Sequence, residues 1–224
     1  MRASANAPLS AIIYLDTFNR PNVTLVDTSN SRGVERITPT GVVAGGVEYE
    51  VDCIIFSTGF EQSSSYDRRL GVEIYGVGGR SLYEHWADGM RTLHGHSING
   101  FPNWFFIGLS QVGLTFNFRA VVDPVAQQVA YIISEAQKRG LVRVEATPEG
   151  EQDWVEAVRA AAPADLSFQE ACTPGYYNNE GKLAESTATF WGDFYMGGLN
   201  SFVAIMEKWR GEGTMKGIAL AEGK

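Results

Sequence analysis

The chain has 224 residues, 44% of them hydrophobic and 20% charged, and a formal net charge of −8 at pH 7. This composition excludes wholesale disorder and supplies a core for one domain or two small ones. The acidic balance, without any basic stripe, excludes nucleic acid as a partner, because phosphate binding draws on clustered Lys and Arg.

Nothing in the sequence approaches the ~20 consecutive apolar residues that span a bilayer. The first ten residues lack the apolar segment of a secretory signal. Cys53 and Cys172 lie far apart, and the plain expectation is a reduced, cytoplasmic chain without a membrane partner.

In chain order, Asn22-Val23-Thr24-Leu25-Val26-Asp27 reads as a short strand entered through Arg20-Pro21. Val34–Ile37, Gly41–Ala44 and Val47–Glu50 follow, joined by Thr38-Pro39-Thr40 and Gly45-Gly46. The connections are too short for helical crossovers, so these pieces predict an antiparallel meander. Val51 to Phe60 is a continuous apolar run opened by Asp52 and closed by Thr58-Gly59. Such runs suit a strand buried on both faces of a parallel sheet, and ligands gather beyond the carboxyl ends of those strands. A buried strand ending in a simple glycine turn would have the same appearance.

Further along, Val72–Tyr75 predicts one strand, and Ser81-Leu82-Tyr83-Glu84 a capping box opening a short helix. Trp104-Phe105-Phe106-Ile107 predicts a second buried strand, again ending at a glycine, Gly108. Val121, Val125, Val129, Ile132, Ile133 and Ala136 recur at helical spacing between Asn117 and Arg139, with Pro124 either starting the helix or kinking it. Val142–Val144 predicts a strand, Thr147-Pro148 a capped helix around Trp154, and residues 200–210 a last helix with Phe202, Ile205, Met206 and Trp209 inward.

Few motifs carry chemistry. His94-Gly95-His96 lacks a third ligand at a recognisable spacing, so a loop is the better reading than a metal site. Gly76-Val77-Gly78-Gly79 lacks the register of a dinucleotide loop and reads as a turn. Cys172 has no marked partner base. The stretch Leu109–Phe118 is a better candidate, being a connection of small, polar and aromatic residues that leads into a helix. That helix would offer orphan N–H groups and the positive end of its dipole to an anionic ligand. An ordinary connecting loop remains the alternative. The aromatic stretches Gly175–Gly181 and Phe190–Gly198 suit either a lid over a flat ligand or a structured surface loop.

Taken together and in order, Phe18-Asn19-Arg20-Pro21-Asn22-Val23, the run Asp52–Phe60, Gly100-Phe101-Pro102-Asn103-Trp104-Phe105 and Tyr195-Met196-Gly197-Gly198 resemble the carboxyl-terminal half of class B flavoprotein monooxygenases. The Baeyer–Villiger type is the nearer branch, with the flavin-containing monooxygenases as relatives. The resemblance implies an α/β fold, part of a flavoprotein with two dinucleotide-binding domains, in which incomplete Rossmann-like sheets accompany an antiparallel meander and carboxyl-terminal helices. Residues 1–58 would close the NADPH-binding domain, and residues 59–224 would form the second half of the FAD-binding domain with a helical and loop extension.

By the same resemblance, Thr58, Gly59, Phe60, Gln111, Thr115, Asn117 and Phe118 would line the cofactors FAD and NADPH. Phe116, Trp191 and Tyr195 would face the substrate, and the start of the helix after Asn117 would approach the pyrimidine edge of the flavin. The implied reaction inserts one oxygen atom of O2 into a ketone or oxygenates a soft heteroatom. The family's amino-terminal glycine-rich FAD loop, its Phe-x-Gly-x-x-x-His-type fingerprint, its second nucleotide loop and its catalytic arginine are absent from this sequence. No catalytic residue is therefore carried over, and the chain is expected to be inactive alone and to need a separate amino-terminal half. The rival expectation is a non-catalytic module that binds flavin or a partner chain.

Overall fold

The computed structural model describes residues 14–28, 30–31, 33–57, 71–115, 117–162, 167–172 and 194–222, without the side chains of 168 and 169. The chain divides into two compact units, Met1–Phe60 and Glu61–Lys224.

The first unit contains a short helix, α1 (Tyr14–Thr17), and a three-stranded antiparallel sheet in the order β1 (Arg36–Ile37), β2 (Gly41–Ala44), β3 (Val47–Glu50). The predicted meander is present. Gly45 and Gly46 join β2 to β3 with φ of 59° and 76°, the left-handed pair that a two-residue hairpin requires. Val42 faces Tyr49 and Val43 faces Glu48 in the ladder. The Glu48 carboxylate accepts from the hydroxyls of Thr38 (2.6 Å) and Thr40 (3.1 Å), which hold its pKa below the usual carboxylate range and fasten the β1–β2 turn to β3.

Two strand expectations in this unit fail. Residues 22–27 form no strand, and neither do residues 51–57, the described part of the run that ends at Phe60. Far from being buried on both faces, Ile55 is 83% and Phe56 72% exposed. Strand conformation needs neighbours to complete its hydrogen-bond ladder. Among the described residues only β1, β2 and β3 pair in this unit, so apolar content alone leaves 51–57 extended and uncovered.

The second unit carries the main core. A 3-10 turn (Val77–Gly79) precedes α2 (Leu82–His85), whose capping box is formed as predicted, with the Ser81 hydroxyl accepting from Tyr83 N–H and Glu84 accepting from Ser81 N–H. Helix α3 (Phe118–Lys138) passes through Pro124 and ends before Gly140, which has φ 68°. It is followed by β4 (Leu141–Ala146), α4 (Pro148–Ala161), α5 (Ser167–Glu170), α6 (Leu199–Glu212) and β5 (Ile218–Glu222). Strand β5, which the sequence pattern did not reveal, pairs antiparallel with β4. The other side of β4 is closed by Asn103, whose backbone N–H donates to Val144 O while its side chain accepts from Val144 N–H and donates to Val142 O.

The predicted strand 104–107 is reduced to one bridge, Ser97 to Phe105, and Trp104 and Ile107 stay 43% and 51% exposed. Three apolar clusters build the interior among the described residues, the smallest being Leu82, Ile98 and Phe101. Of the other two, one joins Leu93, Ile132, Val144, Trp209 and Ile218, and the other Val112, Val121, Val125, Trp154, Phe202 and Met206.

His94-Gly95-His96 forms a tight turn between the bridged residues Leu93 and Ser97, with φ of 54° at His94 and 79° at Gly95. It is a loop, but one driven into the core. The His94 ring lies edge-on to Trp154 (4.9 Å) and Trp209 (6.0 Å), and His96 is 0% exposed. Burial holds both imidazoles neutral. It pushes His94 down to about 4 and His96 well below its ordinary value, with the neighbouring His94 adding to the latter effect.

A base whose pKa is depressed on folding takes up its proton first in the unfolded chain. Its stabilising effect is therefore complete above the unfolded value of 6.5 and is lost as pH falls through about 4. For His94 the shift from 6.5 to about 4 corresponds to about 3 kcal/mol. Urea unfolding followed from neutral pH down to about 4 should show the midpoint falling steadily across this window, with a shallower fall in a His94→Gln variant.

Candidate functional site

The loop from Gly108 to Asn117 has no run of helix formers, and its described residues are fixed by specific bonds. Val112 O accepts from Tyr195 N–H (3.0 Å), and Leu114 N–H donates to Tyr195 O (3.3 Å), which makes a parallel bridge between Gly113 and Tyr195. The Thr115 hydroxyl accepts from Asn117 N–H (3.2 Å), and Asn117 is extended at φ −105°, ψ 98°, so the chain turns there into α3. Asn117 makes no side-chain capping bond, and the first turn of α3 holds no acid. In that turn Ala120 N–H donates to Asn117 O (3.0 Å), and a helix start leaves its earlier N–H groups without an intrahelical partner. Arg119, exposed in the same turn, adds a positive charge where helices more often place carboxylates.

Gln111 sits at the root of this loop, 2% exposed and in the left-handed region at φ 55°. Its amide is committed within the protein. The oxygen accepts from the Thr92 hydroxyl (2.5 Å), and the nitrogen donates to Met90 O (2.9 Å). Its backbone carbonyl accepts from the Trp154 indole N–H (3.0 Å). The turn at Gly95 presses against the same place, since a Cβ there would lie 2.5 Å from Val112 Cγ1 and 2.8 Å from Ser110 O.

Below the loop lies a buried carboxylate, Glu151 in the first turn of α4, 2% exposed. It accepts from Asn99 N–H (2.6 Å), meets His85 Nε2 at 3.2 Å, and lies 3.9 Å from Arg91 Nε. Glu151 was not among the expected residues. The signal was present, because Glu151 falls in line with Trp154, Val155 and Val158 on the apolar stripe of α4, where a carboxylate needs internal partners.

Of the residues expected at a cofactor or substrate site, Gln111, Thr115, Asn117, Phe118 and Tyr195 are brought into one continuous region at the entrance of α3. Phe118 is 54% exposed; Tyr195 is half-buried, with its ring 5.3 Å from Trp154 and its hydroxyl 3.0 Å from the Ser201 hydroxyl. Gln111 differs from expectation in orientation, for its side chain holds the loop from beneath. Thr58, Gly59, Phe60, Phe116 and Trp191 lie outside the described residues, as does the aromatic stretch 175–181. No group of three or more His, Cys, Asp or Glu suited to a metal ion occurs among the described residues. No helix among them is long and apolar enough to cross a membrane.

No family model matches the chain. It is 47% identical over 212 residues to neopentalenolactone D synthase of Streptomyces avermitilis, covering 94% of this chain and 35% of that protein. It is 38% identical to Baeyer-Villiger monooxygenase ATR8 of Stachybotrys chlorohalonatus, covering 92% of this chain and 33% of that one, and 40% identical to FAD-binding monooxygenase hmp7 of Hypomyces subiculosus, covering 92% and 34%. Among solved structures, polycyclic ketone monooxygenase from Thermothelomyces thermophila superposes with a TM-score of 0.79 at 35% identity, over 93% of this chain and 34% of its own. A steroid monooxygenase bound to NADP gives 0.75 at 32% identity, over 94% and 37%. The chain spans about a third of the length of these relatives.

Replacing Glu151 with Ala should destabilise the second unit by about 3 kcal/mol, because His85, Arg91 and Asn99 N–H lose their common acceptor in a buried setting. Glu151→Gln, which keeps an acceptor for Asn99, should lose less. Urea denaturation followed by tryptophan fluorescence measures both.

Proposed function

We propose, on the premise that this chain is homologous to Baeyer–Villiger monooxygenases over about a third of their length, that it is the carboxyl-terminal portion of an FAD- and NADPH-dependent monooxygenase. In this reading residues 1–58 close the NADPH-binding domain and residues 59–224 complete the FAD-binding domain. The substrate is a ketone, or a molecule with a soft heteroatom, and O2 supplies the inserted oxygen. The names of the relatives favour this over a module without catalysis, since they are called synthases and monooxygenases.

The observation that carries the reading is the uncapped start of α3. Its donor set is one-sided: N–H groups without a capping side chain, Arg119 beside them, and no first-turn acid. Such a set fits the acceptor edge of a flavin, which is electron-rich and gains negative charge on reduction. When bound, FAD with NADPH would supply the redox and oxygen chemistry. The residues of this chain would bind and orient it. Asn117 and Phe118 would lie beside the ring, the N–H groups of α3 would donate to its polar edge, and Thr115 would shape the turn that aims them. Tyr195, held to the same loop, would form the nearby wall of the substrate pocket together with Phe116 and Trp191. Thr58, Gly59 and Phe60 would serve the passage between the two nucleotide sites.

The test is a chimera in which this chain replaces the matched portion of neopentalenolactone D synthase. It should bind FAD, measured by flavin fluorescence quenching, and consume NADPH in step with product formation. Arg119→Glu should weaken flavin binding about fivefold, by setting a negative charge at the positive end of α3. A folded chimera without flavin affinity would overturn the proposal.

A further inference from the structure

The contacts beneath the candidate loop point to a device that nothing above assigns. We infer that Thr92, Gln111 and Trp154 form a latch that positions the loop before α3 for its ligand. The inference rests on the cofactor reading of that loop.

Residue 111 occupies a left-handed backbone conformation that a side chain other than glycine adopts at a cost. Three hydrogen bonds hold it there, one donated by Thr92, one by Trp154 of α4 and one made into the Met90 carbonyl. Thr92 Oγ1 donates to Gln111 Oε1, Gln111 Nε2 donates to Met90 O, and Trp154 Nε1 donates to Gln111 O, at 2.5, 2.9 and 3.0 Å. Thr92 is itself aimed, because its oxygen accepts from Gly95 N–H at 2.9 Å. Thr92, Gln111 and Trp154 are 1%, 2% and 4% exposed, so water does not compete for these bonds.

The geometric consequence falls on the next few residues. Gln111 is the last residue before Val112, whose carbonyl begins the bridge to Tyr195, and the loop then leads through Thr115 to Asn117 and the start of α3. Release of residue 111 to an ordinary backbone conformation redirects the chain at that point. The start of α3 would then no longer be held at one position and angle. Thr92, Gln111 and Trp154 are positioning residues. They act on the ligand through the loop without touching it.

Thr92→Val nearly preserves shape and removes both the donor to Gln111 and the acceptor of Gly95 N–H, Trp154→Phe removes one donor together with part of a buried ring, and Thr92→Ser keeps the hydroxyl. The first readout is amide hydrogen exchange in the chain itself. Thr92→Val and Trp154→Phe should speed exchange at Leu114, Asn117 and Ala120 by about tenfold or more, as expected for loss of one or two buried hydrogen bonds. Exchange in the later turns of α3, from Val125 to Ala136, should change much less, and Thr92→Ser should restore the original pattern. Uniform acceleration throughout the unit, or none, would overturn the latch.

The second readout is FAD affinity of the same variants in the chimera. Parallel weakening, about tenfold in Thr92→Val and Trp154→Phe with recovery in Thr92→Ser, supports the proposal. Local loosening with unchanged flavin affinity would overturn it as a ligand-positioning device. If the unsubstituted chimera binds no flavin, the cofactor reading fails and the ligand-positioning claim with it. The exchange pattern then still reports separately on whether the hydrogen-bonded latch exists.

Discussion

The second unit depends on the first two turns of α4. Glu151 and Trp154 stand three residues apart on the same face and send a polar group each into the interior. The carboxylate gathers His85 of α2, the N–H of Asn99 and, at longer range, Arg91. The indole N–H reaches the carbonyl of Gln111. A buried carboxylate is costly unless its acceptor capacity is used, which is why the segments on either side of the histidine turn converge on it. One short stretch of helix thus fixes both the floor of the unit and the root of the loop that leads into α3. Thr147 holds that stretch in place, accepting from Gly150 N–H at 2.9 Å, with Pro148 at the first helical position.

The histidine turn is the second support, and it works by close approach. Gly95 allows the turn to lie against Ser110 and Val112 at distances that no Cβ would tolerate. His94 fills the space between Trp154 and Trp209 as a neutral ring. Polar side chains in this interior serve shape and hydrogen bonding, and their neutrality joins the stability of the unit to pH. The proposed ligand-binding role sits at the start of α3, which has no side-chain cap and no first-turn acid and where Arg119 is exposed.

The two units differ in how completely they satisfy themselves. In the second, the apolar stripes of α3, α4 and α6 meet in shared clusters, and β4 has a strand on one side and Asn103 on the other. In the first, the meander closes its own hydrogen bonds, but Ile54, Ile55 and Phe56 remain exposed beside it. Hydrophobic content drives burial only where a complementary surface exists. A chain spanning about a third of its relatives' length need not contain that surface.

Elements whose causes are local could be read from neighbouring residues alone. The capping box at Ser81, the hairpin at Gly45-Gly46, the Thr147-Pro148 helix start and the periodic apolar face of α3 are all written in neighbouring residues, and each is present. The order of the chain's motifs also carried the resemblance to Baeyer–Villiger monooxygenases with which its relatives agree, because an ordered set of short signatures is far more specific than any one of them. Tertiary structure decided whatever depends on distant partners. Residues 51–57 and 104–107 have the composition of buried strands, yet their pairing depends on neighbours, and β5 is a strand only because β4 lies beside it. Gln111 has the chemistry of a ligand contact, but Thr92, Met90 and Trp154 turn its amide inward. A side chain's direction is set by the bonds that reach it across the fold, and no spacing along the chain encodes those.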